Sequence, residues 1–190
     1  MPATRAVVAL ALLTALATPA VAQQQASRPD ATGLAADLLK DLGDLEKKMT
    51  DLARAIPADK YAWRPSAGTR SVGEVLRHVA ADNYLLPALL GHVPDPSTGI
   101  RGDDYKTAVA FEQRALDRDQ TLAQLDRSFA FMKQALAGTT PARMGEAVSL
   151  FGQPSTVQYT WILTATHLHE HLGQLIAYAR SNGVVPPWSK

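Results

Sequence analysis

Two histidines four residues apart, inside an apolar helical pattern, constrain this chain more than any other feature. Between residues 159 and 182 apolar side chains recur at spacings of three and four, which predicts one long helix. His167 and His171 therefore lie on one helical face, with Cβ atoms about 5–6 Å apart. That face forms a mostly apolar stripe with Leu163, Thr164, Gln174, Leu175 and Tyr178. The stripe predicts that both imidazoles face the interior of a helical bundle.

A buried imidazole needs partners for both of its ring nitrogens. A metal ion can serve one nitrogen and a hydrogen-bond acceptor the other, but two ordinary core histidines held by hydrogen bonds would give the same pattern. His169 cannot join the pair, because it points about 200° away from His167 at roughly 100° per residue. A zinc protease helix is excluded, because Leu168 stands where that motif requires glutamate.

A third histidine on another helix would decide between these interpretations, and His78 is the candidate. It follows a capping-box sequence, Ser71 to Glu74, and lies in line with the inward-facing Val75. Helices packed 8–10 Å apart can bring three imidazoles together. The candidate metal ligands are therefore His78, His167 and His171.

Two other residues near His78 in the sequence, Asp82 and His92, are not expected to ligate the ion. Asp82, one turn further along the helix, is interpreted as a surface charge in preference to an acceptor for a ligating histidine. His92 lies 14 residues from His78, about 21 Å along a helix, and cannot share the site.

Apolar periodicity predicts an all-α protein built as a four-helix bundle. The predicted helices cover about 32–56, 71–91, 119 or 121 to 138, and 155 or 156 to 182. A long connection spans 93–118 and has a weak helical pattern at 107–116. Residues 147–151 can be extended, and residues 184–188 are predicted to form an extended tail. Such a long connection predicts a crossover over the bundle or a wall of a site.

The first 22 residues resemble a secretory signal peptide. Arg5 supplies the positive charge, residues 6–17 are apolar, and residues 20–22 form a small-x-small cleavage site. We therefore predict a signal peptide at 1–22, a flexible tether at 23–33 and the bundle at 34–187. The predicted location is secreted or periplasmic, with no membrane association after cleavage.

Charge and cysteine content exclude several kinds of protein. Of 19 basic and 18 acidic residues, cleavage removes one basic residue, so the mature chain would carry 18 of each and a net charge of zero. That balance argues against nucleic-acid binding. The chain has no cysteine, which excludes disulfides, thiolate ligands and a cysteine nucleophile.

Together these segments resemble the DinB-like superfamily. The resemblance rests on residues 61–78 (YAWRPxxGxRSVGExLxH), residues 167–180 (HxxxHLGQLIxYxR) and the GVVPP tail at 183–187. It implies an up-down-down-up bundle, often a homodimer, that binds a divalent metal through His78, His167 and His171. The family includes metal-dependent hydrolases and thiol S-transferases acting on small molecules, so the resemblance implies an unknown small-molecule ligand.

Three neutral imidazoles would leave one coordination position of the ion open, as in catalytic zinc sites. Water at such a position has a pKa lowered toward about 7 with zinc. Nitrogen ligation suits zinc, nickel, iron or copper and does not select among them; we expect zinc, with nickel or iron as alternatives. Two functions remain open: a metal-dependent hydrolase or transferase, or a non-catalytic bundle that senses, buffers or needs the ion for stability. No catalytic acid or base and no organic cofactor site can be identified.

Overall fold

A computed structural model describes residues 31–189 of the chain. The helices in this range are α1 Ala31–Ala55, α2 Val72–Leu89, α3 Lys106–Glu112, α4 Arg118–Ala137, α5 Pro141–Met144 and α6 Val157–Ser181. Strands β1 Ala147–Leu150 and β2 Gln153–Thr156 pair antiparallel in a hairpin, and single 3-10 turns cover Ala58–Lys60, Pro96–Thr98 and Pro187–Ser189. The predicted signal peptide lies outside the described residues. Residues 23–30 of the predicted tether also lie outside the described residues. Residues 31–33, predicted as the end of the tether, instead belong to α1, which begins at Ala31.

The four long helices form the predicted bundle. Helices α1 and α2 each pack against both α4 and α6, so α1 lies opposite α2 across the core. Trp161, Phe129, Met49 and Leu125 are fully buried where the four helices meet. This arrangement makes α2 and α6 neighbours, and these are the helices that carry His78 and the pair His167 and His171.

Side-chain caps fix where the helices begin. Ser71 and Glu74 form the predicted capping box: the Glu74 amide donates to Ser71 Oγ at 3.3 Å, and the Ser71 amide donates to Glu74 Oε2 at 2.7 Å. Asp117 and Gln120 form a second capping box, so α4 begins slightly earlier than predicted. Thr156 caps α6 by accepting from the Tyr159 amide, as its sequence position indicated.

The connection between α2 and α4 is an ordered crossover that packs on α2. Helix α3, predicted only as a weak pattern, is seven residues long and ends at Glu112. Phe111 and Ala108 on α3, together with Ile100, are buried against Ala81 and Tyr84 of α2 in a second apolar cluster. This packing brings the end of α3 to the middle of α2.

Gly102 holds the crossover close to the end of α2. A Cβ atom at this position would overlap the carbonyl oxygen of Ala88, so only glycine permits the observed approach. This contact helps to fix the position of α3 along the axis of α2.

The hairpin and the C-terminal tail refine the sequence-based expectations. Residues 147–150 are extended as predicted, but Phe151 lies in the turn with φ 50°, followed by Gly152 at φ 80°. A two-residue hairpin turn requires such positive φ values. Gly183, at φ 74°, ends the α6 region in the left-handed conformation that its position predicted. The tail was predicted as extended, which is wrong for Pro187–Ser189, where it forms a 3-10 turn.

Within residues 31–189, no helix is both long and apolar enough to span a membrane.

We predict that Gly102→Ala destabilises the fold by about 1–3 kcal/mol, the usual cost of overpacking. The reason is the overlap of the new methyl group with the Ala88 carbonyl, which the backbone must relieve by moving. Urea denaturation followed by circular dichroism measures the change. Gly43→Ala is the matched control: no atom lies within 4 Å of its added Cβ, and it should stabilise α1 by about 1 kcal/mol. Equal stability of Gly102→Ala and wild type would contradict the prediction.

Candidate metal centre

Three imidazoles meet between α2 and α6. Nε2 of His167 lies 3.2 Å from Nε2 of His78 and 2.9 Å from Nε2 of His171. The ring centroids of His78 and His171 are 4.7 Å apart. The three side chains are largely buried, and each offers one nitrogen within 4.8 Å of the other two. The structure thus brings together all three histidines that the sequence proposed as ligands.

Glu112 at the end of α3 orients His78. Its Oε1 lies 2.7 Å from Nδ1 of His78, and its Oε2 accepts from Arg70 Nη2 at 3.2 Å. The backbone carbonyl of Glu112 accepts from Nε of Arg77 at 2.9 Å. Because an ionised carboxylate can only accept, Nδ1 of His78 carries the hydrogen and Nε2 presents its lone pair to the centre.

Burial raises the pKa of Glu112, but the hydrogen bond and charge of His78, together with Arg70, hold that pKa below its ordinary value. The carboxylate is therefore ionised at neutral pH, as its role as an acceptor requires.

Gln174 orients His171 in the same way. Nδ1 of His171 donates to Oε1 of Gln174 at 2.8 Å, while Nε2 of Gln174 donates to the Tyr178 hydroxyl at 3.0 Å. The Tyr178 ring meets Trp63 edge to face with centroids 5.3 Å apart. The sequence placed Gln174 only on the inward stripe; the structure shows that it hydrogen-bonds His171. Nε2 of His171 also presents its lone pair to the centre.

His167 cannot satisfy both of its neighbours by hydrogen bonding. Its Nε2 can donate at most one hydrogen, yet it faces the lone pairs of both His78 and His171. Its Nδ1 is buried and has no hydrogen-bond partner among the described residues. Converging nitrogen lone pairs of this kind are satisfied by a cation, and imidazole nitrogens suit zinc and its first-row neighbours. The donor set therefore fits a divalent transition metal.

The pKa values of His167 and His171 are lowered, which favours the neutral rings that bind a metal ion. Burial, followed by the charges of His171 and His78, lowers the pKa of His167 from 6.5 to about 3. Burial also lowers the pKa of His171, although the hydrogen bond that its ring donates to Gln174 acts in the opposite direction. At neutral pH both rings are neutral, the form that binds a metal.

The structure corrects the interpretation of Asp82. It was expected on the helix surface, but its carboxylate lies 3.3 Å from Nε2 of His167 and 3.5 Å from Nε2 of His78, and its side chain is only 19% exposed. Burial raises its pKa to about 6, although the charge of His78 acts in the opposite direction. The carboxylate borders the centre because α6 covers this part of α2.

The other two histidines lie outside the centre, as predicted. His169 is exposed on α6, and its Nε2 lies 2.9 Å from a carboxylate oxygen of Asp41 on α1. His92 follows the end of α2 and borders a different pocket, with Val93 and Phe131.

A solvent-open pocket of about 330 Å³ adjoins the centre through Glu112. Its other lining residues are Arg70, Glu74, Arg77 and Gln113. Two guanidinium groups and two carboxylates thus line this pocket. Arg64, in the loop before α2, pairs with Glu74 at 2.9 Å.

Glu112 is the site residue that sequence reasoning missed. It lies 34 residues from His78 in a segment with weak periodicity, so nothing local links the two. The available signal was indirect: a ligating histidine needs an acceptor for its second nitrogen, and a long crossover can supply one.

Comparisons with known proteins agree with this architecture. The DinB superfamily matches residues 41–175, a range that includes the three histidines, Asp82 and Glu112. A DinB-like protein from Bacillus cereus has a crystal structure with a TM-score of 0.66 at 14% identity, covering 80% of this chain and 95% of that one. A DinB-like protein from Bacillus subtilis gives 0.59 at 18% identity, covering 77% and 92%. Likeness at these identities shows a shared fold.

A comparison with curated proteins gives no match. The family match nevertheless spans more than half of the chain, and the solved structures share the bundle. This chain belongs to the DinB superfamily.

Proposed function

We propose that this protein binds one divalent transition-metal ion through His78, His167 and His171, and is a metal-dependent hydrolase or transferase acting on a small molecule. The observation that carries the proposal is the convergence of three Nε2 atoms, with separations of 2.9 and 3.2 Å to His167. Zinc is the first choice for this nitrogen set, with nickel and iron as alternatives. When bound, such an ion supplies a Lewis acid that polarises a substrate oxygen and activates a nucleophile.

Other residues of the chain would orient the histidines or line the adjoining pocket. Glu112 and Gln174 hold His78 and His171 in the tautomers that face the ion. Arg70 and Arg77 line the adjoining pocket, where their charges favour a small molecule with an anionic or strongly polar group. The largely buried imidazoles exclude bulk water from most of the centre.

A non-catalytic metal-binding bundle is the second candidate, and the same burial favours it. His78 and His171 have side chains that are mostly covered, and the carboxylate of Asp82 lies close to Nε2 of His78. In that case the ion stabilises the packing of α2 on α6. Turnover of a small-molecule substrate by the metal-loaded protein, and not metal binding itself, separates the two candidates.

We also propose that the protein is exported and that it forms a homodimer. The signal-like residues 1–22 support export, and the family resemblance supports dimer formation. Sedimentation analysis of the purified protein tests the dimer.

We predict that the purified protein binds about one equivalent of zinc per chain, as one three-histidine site requires. His78→Ala and the double variant His167→Ala/His171→Ala should lose this zinc, because each removes converging nitrogens. Elemental analysis after dialysis against zinc measures the content. His169→Ala is the matched control on the same helix, since its ring contacts Asp41 on the surface, and it should retain the metal. Wild type without zinc, nickel or iron after loading would refute the proposed site.

We predict that Glu112→Gln lowers zinc affinity by about 10- to 100-fold, the usual effect of removing a partner that orients a ligating histidine. The amide lacks the charge that holds the Nδ1 hydrogen of His78. Competition with a chromogenic chelator gives the affinity. Glu146→Gln, which removes an exposed partner of Arg143, should leave the affinity unchanged. Equal zinc affinities for Glu112→Gln and wild type would show that Glu112 does not support the site.

We predict that the full chain, expressed in a bacterial host, is processed to a protein beginning at Gln23. The small residues at 20 and 22 form the cleavage site, so Ala22→Arg should block processing. Intact mass spectrometry of the periplasmic fraction measures the start of the chain. An unprocessed wild-type protein found only in the cytoplasm would contradict export.

A further inference from the structure

Asp82 borders the three imidazoles from the same helix as His78. One of its carboxylate oxygens lies 3.3 Å from Nε2 of His167 and 3.5 Å from Nε2 of His78. These are two of the three nitrogens that face the centre, and neither is the outer Nδ1 of its ring. We propose that Asp82 is a fourth protein ligand, so that the centre binds its ion through three nitrogens and one carboxylate oxygen. This inference rests on the proposed metal binding.

The spacing of the four donor atoms supports this assignment. Bonds of about 2.0–2.2 Å to a tetrahedral zinc ion place any two ligand atoms about 3.3–3.5 Å apart. The carboxylate oxygen of Asp82 lies 3.3 and 3.5 Å from Nε2 of His167 and His78, and Nε2 of His167 lies 2.9 and 3.2 Å from Nε2 of His171 and His78. All four of these distances lie at or slightly below the tetrahedral value.

The helix geometry explains why this residue is available. His78 and Asp82 are four apart on α2, as His167 and His171 are on α6, so each helix presents two donors on one face. The two pairs face each other where α2 packs against α6. Four donors from two neighbouring helices are thus arranged without any loop residue.

The charge of Asp82 also supports its assignment as a ligand. A largely buried carboxylate needs a compensating positive group. Glu112 lies on the other side of His78 and is neutralised in part by Arg70 at 3.2 Å. A divalent ion bound among the histidines would meet the charge of Asp82 directly.

Ligation by Asp82 changes how a small molecule reaches the ion. Four protein ligands complete a tetrahedral set, so an incoming ligand must displace Asp82 or add as a fifth ligand. Three histidines alone would instead leave one position permanently free. Asp82 would therefore control whether a small molecule can bind the ion.

The test uses the full mature chain with zinc and with cobalt(II), whose visible absorption reports the number and kind of ligands. Asp82→Asn removes the carboxylate charge at nearly constant volume. Asp41→Asn is the matched control, because Asp41 contacts the exposed His169 at 2.9 Å, away from the centre. Zinc affinity is measured by chelator competition, and circular dichroism confirms that each metal-free variant is folded.

We expect Asp82→Asn to weaken zinc binding more than the about 10- to 100-fold typical of a lost supporting contact, and to change the cobalt(II) spectrum. Asp41→Asn should leave both unchanged. Asp82→Ala opens space at the ligand position, so added formate should restore part of its zinc affinity and the wild-type spectrum. Formate should have no such effect on wild type.

The outcomes separate this inference from the proposed function. If wild type binds neither zinc nor cobalt, both fail. If wild type binds zinc but Asp82→Asn gives the wild-type cobalt spectrum, the centre exists and Asp82 is not a ligand, whether it accepts a hydrogen bond nearby or is only a charge at the surface. If formate does not act on Asp82→Ala while Asp82→Asn keeps wild-type affinity, the inference is likewise overturned.

Discussion

The convergence of three imidazole nitrogens between α2 and α6 is the interaction on which the arrangement of this protein depends. Neutral histidines with lone pairs directed at one point repel each other unless a cation lies between them. The surrounding residues nevertheless enforce this convergence: Glu112 and Gln174 each accept the Nδ1 hydrogen of one ring and thereby direct Nε2 inward. The fold thus holds a polar arrangement that apolar packing alone would disfavour.

Much of the rest of the molecule serves to position these supporting groups. The crossover reaches His78 because Phe111 and Ala108 fix α3 on α2 and because Gly102 lets the chain pass close to the Ala88 carbonyl. On the other helix, Gln174 is bound to Tyr178, which in turn packs on Trp63 in the loop before α2. Both ligand-bearing helices are therefore oriented through contacts that reach beyond the site itself.

The sequence predicted the bundle, its helix starts and the three histidines, because each depends on local periodicity or on capping residues a few positions apart. It failed for Glu112 and Asp82 for a common reason. The contact of Glu112 with His78 depends on how the crossover packs, and the burial of Asp82 depends on α6 covering α2. A helical pattern shows which side chains share a face, but not which neighbouring element covers them. The small hairpin turn at Phe151 likewise depends on backbone pairing that periodicity does not describe.

The distance between the two histidine helices along the chain has a further consequence. His78 and His167 are 89 residues apart in a chain without cysteine. An ion bound to both would close a loop of that length, as a disulfide does. Unlike a disulfide, this cross-link would exist only in the folded chain, so it would stabilise the fold by mass action, by about 2.7 kcal/mol when free metal is 100 times its dissociation constant, compared with typical total stabilities of about 5–15 kcal/mol. The stability of the folded protein would therefore follow metal availability.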